Sequence, residues 1–476
     1  MNVYLTVLLI YGAALIGLGL FLARSVRDTR AFFVANRRLG PGLLFSTLLA
    51  ANIGAGSTVG AAGLGYSLGL AGWWWVGSAG IGSCVLALVI GPRMRALSAR
   101  WDLLTLGDFL EHRYGPEVRV LVALLLWLGT LAILAGQLIA FAWILNVVAG
   151  TSKFTGSLIG GCVVIAYFAS GGLKGTVWIN LLQLSVKAVG FLLALPFALA
   201  AVGGWHGLAT AAVERGPEYT SILGSGWSQV LPFVALLAPS FIVSPGLLQK
   251  IYGARDDRSV RLGAGSNAAA LMLFSFFPVL IGMVAAMSFP DLAHSELALP
   301  TVITRILPTW LGALLLAAVF SAEVSSADAI LFMLSTSLTR DLYQRFLNPT
   351  VSDRTLLRVG RILAFVSGLS GIVVSVALES VLSALSIFYG LVSVALFVPV
   401  TLGLYRSRPG PRACAAIILI SVSTAGVFQL AAPGGWGVLS PTIVGILISL
   451  LLFLAAGTLS HKLNPAESEV PPQGPA

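Results

Sequence analysis

Residues 48–65 read LLAANIGAGSTVGAAGLG. The stretch is apolar enough for hydrocarbon, yet Gly54, Gly56 and Gly60 interrupt it where a membrane helix should be continuous. Glycine weakens a helix interior because it loses the most backbone freedom on folding. In lipid, a freed amide or carbonyl has no water to turn to, so a broken helix is tolerated only where it is buried in protein or lines a cavity. Residues 230–250, VLPFVALLAPSFIVSPGLLQK, carry the same contradiction through Pro239, Ser240, Ser244 and Pro245, since proline removes a helix hydrogen bond. The second interrupted segment falls five hydrophobic spans after the first. That spacing marks an inverted repeat of five plus five helices, with a site at the bilayer midplane between its halves. Close packing through small residues accounts for either segment alone; their paired placement is what points to a binding site.

The rest of the chain supplies the membrane context. It has 476 residues, 57% hydrophobic and 10% charged, where a soluble domain carries about 25% charged residues. Apolar blocks of 20 or more match the ~30 Å of hydrocarbon that a helix must cross. The pattern predicts an all-α membrane protein of about thirteen transmembrane helices, at roughly 3–23, 42–67, 72–92, 119–148, 154–171, 176–203, 228–251, 262–289, 309–337, 358–378, 381–405, 412–431 and 437–458. The chain opens MNVYLTVLLIYG, with no basic residue ahead of the apolar run, which reads as a retained span with its N-terminus outside and not as a cleaved leader. Alternation then tests itself. Of the 28 lysines and arginines, all but Lys153, Arg215, Arg305 and the intramembrane Lys187 fall on one side, the cytoplasmic side by the positive-inside rule. The C-terminus is expected inside, in what reads as a bacterial cytoplasmic membrane. The net charge of +10 is therefore topological, and a nucleic-acid partner has nothing else to recommend it. The expected organisation is an extra N-terminal helix (1–24), two five-helix halves (42–203 and 228–405), two C-terminal helices (412–458) and a disordered cytoplasmic tail (459–476). The longest outside loop is about 204–227. Cys84, Cys162 and Cys414 lie in apolar stretches without pairing or metal spacing and read as small core residues. The four histidines form no cluster.

A cation site follows from geometry. If the helix unwinds over 54–57, the carbonyls of residues 50–53 lose the amides four residues on, which frees oxygens at Ala50 and Ile53. In residues 317–330, AAVFSAEVSSADAI, Ser325 and Ser326 share a helix face with the Ala322 carbonyl. Five neutral oxygens suit a small monovalent ion, although serines in membrane helices often bond back to their own backbone. Lys187, Glu323 and Asp328 sit deep in spans, where an unpaired charge costs roughly 2.5–3.5 kcal/mol on insertion scales. Asn180, Gln183 and Lys187 share one helix face. Lys187 is expected to pair with Glu323 or Asp328, and the direction of the sixth span favours Glu323. Trp73–Trp75 reads as part of an interfacial aromatic belt, with an outer gate over the solute as the lesser alternative, and residues 101–115 read as an interfacial helix.

At these residues the chain resembles the sodium/solute symporter family, which includes carriers of galactose, proline, iodide and pantothenate. The segments that carry the resemblance are RAFFVANRRLGPGLLFSTLLAANIGAG (30–56), LLTLGDFLEHRYG (103–115), SGGLKGTVWINLLQL (170–184) and AEVSSADAILFMLSTSLTRDLY (322–343). The resemblance implies the LeuT-type inverted-repeat fold with an added first helix. It matches Ala50, Ile53, Ala322, Ser325 and Ser326 to the family's sodium site, and Asn52 and Ser57 to positions that face the sugar in the galactose carrier. Gly56, Ser240 and Ser244, at the two breaks, complete the candidate solute set. One departure stands out: where many members carry an aspartate in the sixth span, this chain has Asn180, which argues against a second sodium.

The expected function is sodium-coupled symport of a small organic solute (a sugar, amino acid, carboxylate or vitamin) by alternating access, with sodium as coupling ion and no organic cofactor. Proton coupling through Lys187 is the alternative, and a transporter-like sensor a more distant one. No nucleophile–base constellation suggests an enzyme.

Overall fold

The computed structural model describes residues 2–22, 37–170, 173–405 and 409–463. Helices account for nearly all of them. Ten, among the described residues, are long and apolar enough to cross a membrane, and three shorter apolar helices accompany them: Val3–Leu18, Pro41–Asn52 and Lys153–Phe168. Of the thirteen expected spans, the first and fifth correspond to the shorter helices Val3–Leu18 and Lys153–Phe168. The second span is cut after Asn52, and its remainder runs with the third as the single stretch Ala55–Arg100, bent at the tight turn Gly69–Gly72.

In chain order the helices that position the site are α1 (Val3–Leu22), α2 (Pro41–Asn52), α3 (Val59–Leu68), α4 (Trp73–Val85), α5 (Leu106–Tyr114), α6 (Pro116–Ala149), α7 (Lys153–Ser170) and α8 (Leu173–Ala200). They continue with α9 (Trp227–Val243), α10 (Pro245–Tyr252), α11 (Asp257–Phe274), α12 (Phe276–Ser288), α13 (Thr309–Thr336), α14 (Asp353–Ala377), α15 (Val381–Tyr405), α16 (Pro411–Ala431) and α17 (Pro441–Leu463). The arginines at 24, 27 and 30 lie outside the described residues. So does the tail beyond Leu463, and α17 itself continues past the expected boundary at 458.

Small residues set the closest crossings. A Cβ on Gly282 of α12 would stand 1.9 Å from the Ala62 carbonyl oxygen, and one on Gly65 of α3 would stand 2.1 Å from that of Val279. Backbone meets backbone there, as happens where membrane helices pack through glycine. Gly82 plays the same part between α4 and α9, with Ala238 O 2.3 Å from its would-be Cβ. The 28-residue α13 threads the middle of the bundle, and nearly every side chain from Leu311 to Leu331 is buried. At the circumference the pattern inverts: Leu9, Leu88, Val373, Leu430 and Leu451 are exposed, as a lipid-facing surface requires.

Three expectations change. The 204–227 loop is structured: it carries the helices Gly204–Glu214 and Pro217–Thr220, and the Tyr219 hydroxyl donates to Gly65 O (2.8 Å) at the end of α3. Cys162 is exposed and is not a core residue; Cys414 is buried and Cys84 half-buried. Residues 101–115 are only partly superficial: Asp102 and His112 are exposed, but Phe109, Leu110 and Tyr114 are buried, with α6 and the segment Ser337–Leu347 packed against α5 through charged contacts described below.

Candidate functional site

Both interruptions exist, and each has a definite place. Helix α2 stops at Asn52, Ile53 and Gly54 are extended (φ −94° and −144°), and one short turn, Ala55–Ser57, leads into α3. The second break is narrower. Pro232 and Pro239 are accommodated inside α9, and only Ser244 (φ −53°, ψ 126°) leaves the helical region before α10 begins at Pro245. A residue preceding proline is pushed out of the helical region by the ring, so Pro245 makes this break and Pro239 does not.

Each of the four carbonyls freed by the first break finds a partner. Ser325 Oγ stands 2.9 Å from Ala50 O and 3.2 Å from Ala322 O. Ser326 Oγ lies 3.2 Å from Ala51 O and 3.1 Å from Ile53 O. Ser57 returns its hydroxyl to Asn52 O (3.2 Å) and accepts from the Gly54 amide (2.9 Å). The five oxygens expected to form a cation site are thus gathered on one side of α13. Gly54 permits the approach: a Cβ there would meet Ser326 Oγ at 2.3 Å and Gln137 Oε1 at 2.8 Å. Gln137 accepts from the Ala55 amide (2.9 Å) and so holds the unwound segment from the α6 side. Sequence reasoning missed Gln137, although an amide midway along a 34-residue apolar helix is the kind of residue that marks a function in a membrane.

Lys187 is where the geometry departs most from expectation. Its fully buried ammonium donates to Ala50 O (3.1 Å), Ile53 O (3.1 Å) and Ser325 Oγ (2.7 Å). An ammonium has three protons, and three oxygens of the cluster take them all. The expected direct pair with Glu323 is therefore not formed. Glu323 accepts the Thr58 hydroxyl on Oε1 (3.0 Å), and its buried Oε2 has no hydrogen-bond partner. Glu323 acts on Lys187 only as a nearby opposite charge. Gln183 is fully buried with neither amide atom partnered, and Asn180 Oδ1 is likewise without a partner.

A cavity opens beside this cluster. Asn52, Gly56 and Ser57 line it from the first break and Ser240 and Ser244 from the second, so all five candidate solute residues share it. Ser325, Ser326, Asn180 and Asp328 face it too, whereas Gln183, Lys187 and Glu323 lie behind its wall. Three of the candidates are committed to structure, Ser57 through its bonds to Asn52 O and the Gly54 amide. Ser240 donates to Leu237 O (3.1 Å) in its own helix, and Asn52 Nδ2 donates to Asn267 Oδ1 (3.2 Å). One end of the cavity is roofed by aromatic rings: Trp75 meets Phe233 and Tyr389 edge-on at 6.0 and 6.1 Å, and Tyr389 packs on Phe241 at 5.7 Å. Trp75 is only 4% exposed, which removes it from the expected interfacial belt; α4 turns it inward over Gly56, whose would-be Cβ lies 3.2 Å from Trp75 Nε1. Towards the arginine-bearing end the lining is Leu39, Lys250 and Gly253, with Lys250 as the charge acting on Asp328.

That same end carries a buried ion cluster. Arg119 at the start of α6 contacts Asp108 (2.9 Å), Glu111 (2.6 Å) and Asp341 (2.6 Å). Thr105 donates to Asp341 (2.9 Å), and Arg345 contacts Glu111 at 2.5 Å. Burial pushes the Glu111 carboxyl up, but Arg345 and Arg119 outweigh it and hold it below the usual carboxylate range. The one legible signal was the spacing of Thr105 and Asp108, which forms a reciprocal capping box at the start of α5.

Comparison with known proteins agrees with this layout. A model of the sodium:solute symporter family matches residues 32–414. The sodium/pantothenate symporter of Escherichia coli (strain K12) is 26% identical over 94% of each chain. The sodium/glucose cotransporter of Vibrio parahaemolyticus is 24% identical over 84% of this chain and 80% of its own length. Among solved structures, a Na+-coupled sialic acid symporter in a substrate-bound outward-open state superposes with a TM-score of 0.80, at 19% identity, over 97% of this chain and 98% of that one. At that identity the likeness is one of fold.

Proposed function

We propose that this chain, which belongs to the sodium:solute symporter family, is a secondary-active carrier in the bacterial inner membrane that moves a small organic solute with sodium by alternating access. The observation that carries this reading is the oxygen cluster. Ala50 O, Ile53 O, Ala322 O, Ser325 Oγ and Ser326 Oγ stand together between a broken helix and α13, at the wall of a cavity lined by the second break. Neutral oxygens in this number suit a hard monovalent cation. The cation would tie α2 to α13, and a solute beside Asn52, Gly56 and Ser57 would favour the same arrangement. Coupling then arises because both ligands prefer one conformation. The names of the relatives favour a sugar, a carboxylate or a vitamin, and an amino acid stays within the class.

The two breaks support the five-plus-five inverted repeat and thirteen passes, with an extra first helix and two at the C-terminus. By the positive-inside rule the arginine-bearing end is cytoplasmic, so the Trp75 end of the cavity lies on the outer side and the Lys250 end on the inner side. Asp328 and Lys250 would then stand on the exit path. Asn180 in place of an acid favours one sodium per solute. The family is one of transporters, and no chemical transformation of the solute is proposed.

One observation favours a second reading, proton coupling: the Lys187 ammonium already holds three oxygens of the cluster. Uptake into proteoliposomes from a solute panel, under separate sodium and proton gradients, tests both. Accumulation driven by sodium alone supports the first reading. Accumulation driven by protons alone supports the second.

A further inference from the structure

We infer that Lys187 is a tethered competitor of the coupling cation: its ammonium occupies the cation position in the ion-free carrier, and sodium binds only as Lys187 gives way. This rests on the reading of the five oxygens as the coupling centre. Three facts lead to it. Nζ lies 3.1, 3.1 and 2.7 Å from Ala50 O, Ile53 O and Ser325 Oγ, and no cation could use those three oxygens while the ammonium does. The side chain comes from α8 and is fully buried, so the ammonium is delivered from behind the cluster while Ser325 and Ser326 face the cavity. An arriving ion and the resident ammonium thus approach the same oxygens from opposite sides.

Charge accounting points the same way. The buried group holds one cation, Lys187, and one anion, Glu323, with Lys250 and Asp328 as a more distant pair of opposite charges beside them. A second monovalent cation among these oxygens would leave a buried excess charge, which low-dielectric surroundings penalise heavily. Glu323 offers the resolution. Its Oε2 is buried and lacks a hydrogen-bond partner, and an orphaned carboxylate oxygen is costly unless something reaches it. An ammonium displaced from the carbonyls would find its acceptor there. The exchange gives the ammonium a carboxylate in place of neutral oxygens and separates it from the arriving sodium, so that two like charges no longer share one set of oxygens. It also gives Lys187 a defined role: it closes the coupling centre when sodium is absent, so that α2 and α13 remain bridged by an ammonium in the ion-free state.

The test uses the purified full-length protein and sodium itself as the probe. Thermal unfolding is followed against NaCl at constant ionic strength with choline chloride, for the wild type, Lys187→Met, and Lys187→Met combined with Ser325→Ala. With the competitor removed and Glu323 left in need of a cation, the half-maximal sodium concentration for stabilisation should fall at least tenfold in Lys187→Met. Adding Ser325→Ala should abolish that gain. Lys187→Leu repeats the measurement if the Met variant does not accumulate as a monodisperse protein. A sodium response equal to or weaker than wild type in the Lys187 variants, but still lost with Ser325→Ala, overturns the competitor while leaving the oxygen centre standing. A response that is absent throughout, or that survives Ser325→Ala, overturns both.

Discussion

Ser325 and Ser326 are adjacent and chemically identical, but their hydroxyls do unequal work, and removing each in turn reads out the geometry of the centre. Ser325 Oγ accepts from the Lys187 ammonium at 2.7 Å and reaches Ala50 O at 2.9 Å. A hydrogen bond to a charged group contributes about 1.5–3 kcal/mol, and Ser325→Ala leaves one ammonium proton buried without an acceptor. Ser326 Oγ reaches only the carbonyls of Ala51 and Ile53, at 3.2 and 3.1 Å, and Ile53 O keeps Lys187 when the hydroxyl is gone. A neutral bond of this kind contributes about 1 kcal/mol. Ser325→Ala should therefore cost about 2–3 kcal/mol and Ser326→Ala about 1 kcal/mol in the ion-free protein. The assay is reversible unfolding by sodium dodecyl sulfate in mixed micelles, without sodium, followed by tryptophan fluorescence. Equal costs, or a larger cost at Ser326, would refute the placement of the ammonium on Ser325.

Three further outcomes follow from other parts of the structure. Arg119→Met should cost about 3–5 kcal/mol in the same assay, because it leaves buried Asp341 uncompensated, and Arg119→Met with Asp341→Asn should recover part of that loss; strict additivity would show that the two do not act as a pair. Gly282→Val should abolish accumulation of folded protein in the membrane, since even its Cβ would stand 1.9 Å from a backbone oxygen; near-normal expression with an unchanged gel-filtration profile would contradict the close α3–α12 crossing. With Asn180 where a second cation would need a carboxylate, transport should carry one sodium per solute, and a reversal voltage in proteoliposomes that fits only two would reject this.

The sequence was most legible where chemistry and environment conflict. Glycines and prolines inside apolar spans placed both breaks, and freed carbonyls opposite Ser325 and Ser326 placed the oxygen cluster, because backbone hydrogen bonding in lipid leaves few alternatives. What stayed hidden depended on side-chain reach. A lysine stem is long enough for several partners, and helix direction favoured Glu323 while the ammonium chose carbonyls. Which proline breaks a helix also escaped, since Pro239 is absorbed within α9 and Pro245 is not. The inward turn of Trp75 and the burial of α5 depend on tertiary contacts with α9, α15 and α6, which no local pattern of residues 73–75 or 101–115 reports.

The central claim is that a cation gradient acting through the Ala50–Ser325–Ser326 oxygens drives solute accumulation. Its most direct test is concentrative uptake by proteoliposomes, with a panel of radiolabelled sugars, carboxylates, vitamins and amino acids and an imposed inward sodium gradient. The account predicts that at least one solute class accumulates above its external concentration, that accumulation collapses when the gradient is dissipated, and that Ser325→Ala with Ser326→Ala abolishes the sodium response in correctly folded protein. Accumulation that persists without any cation gradient, or that survives the double substitution with its sodium dependence intact, would contradict it.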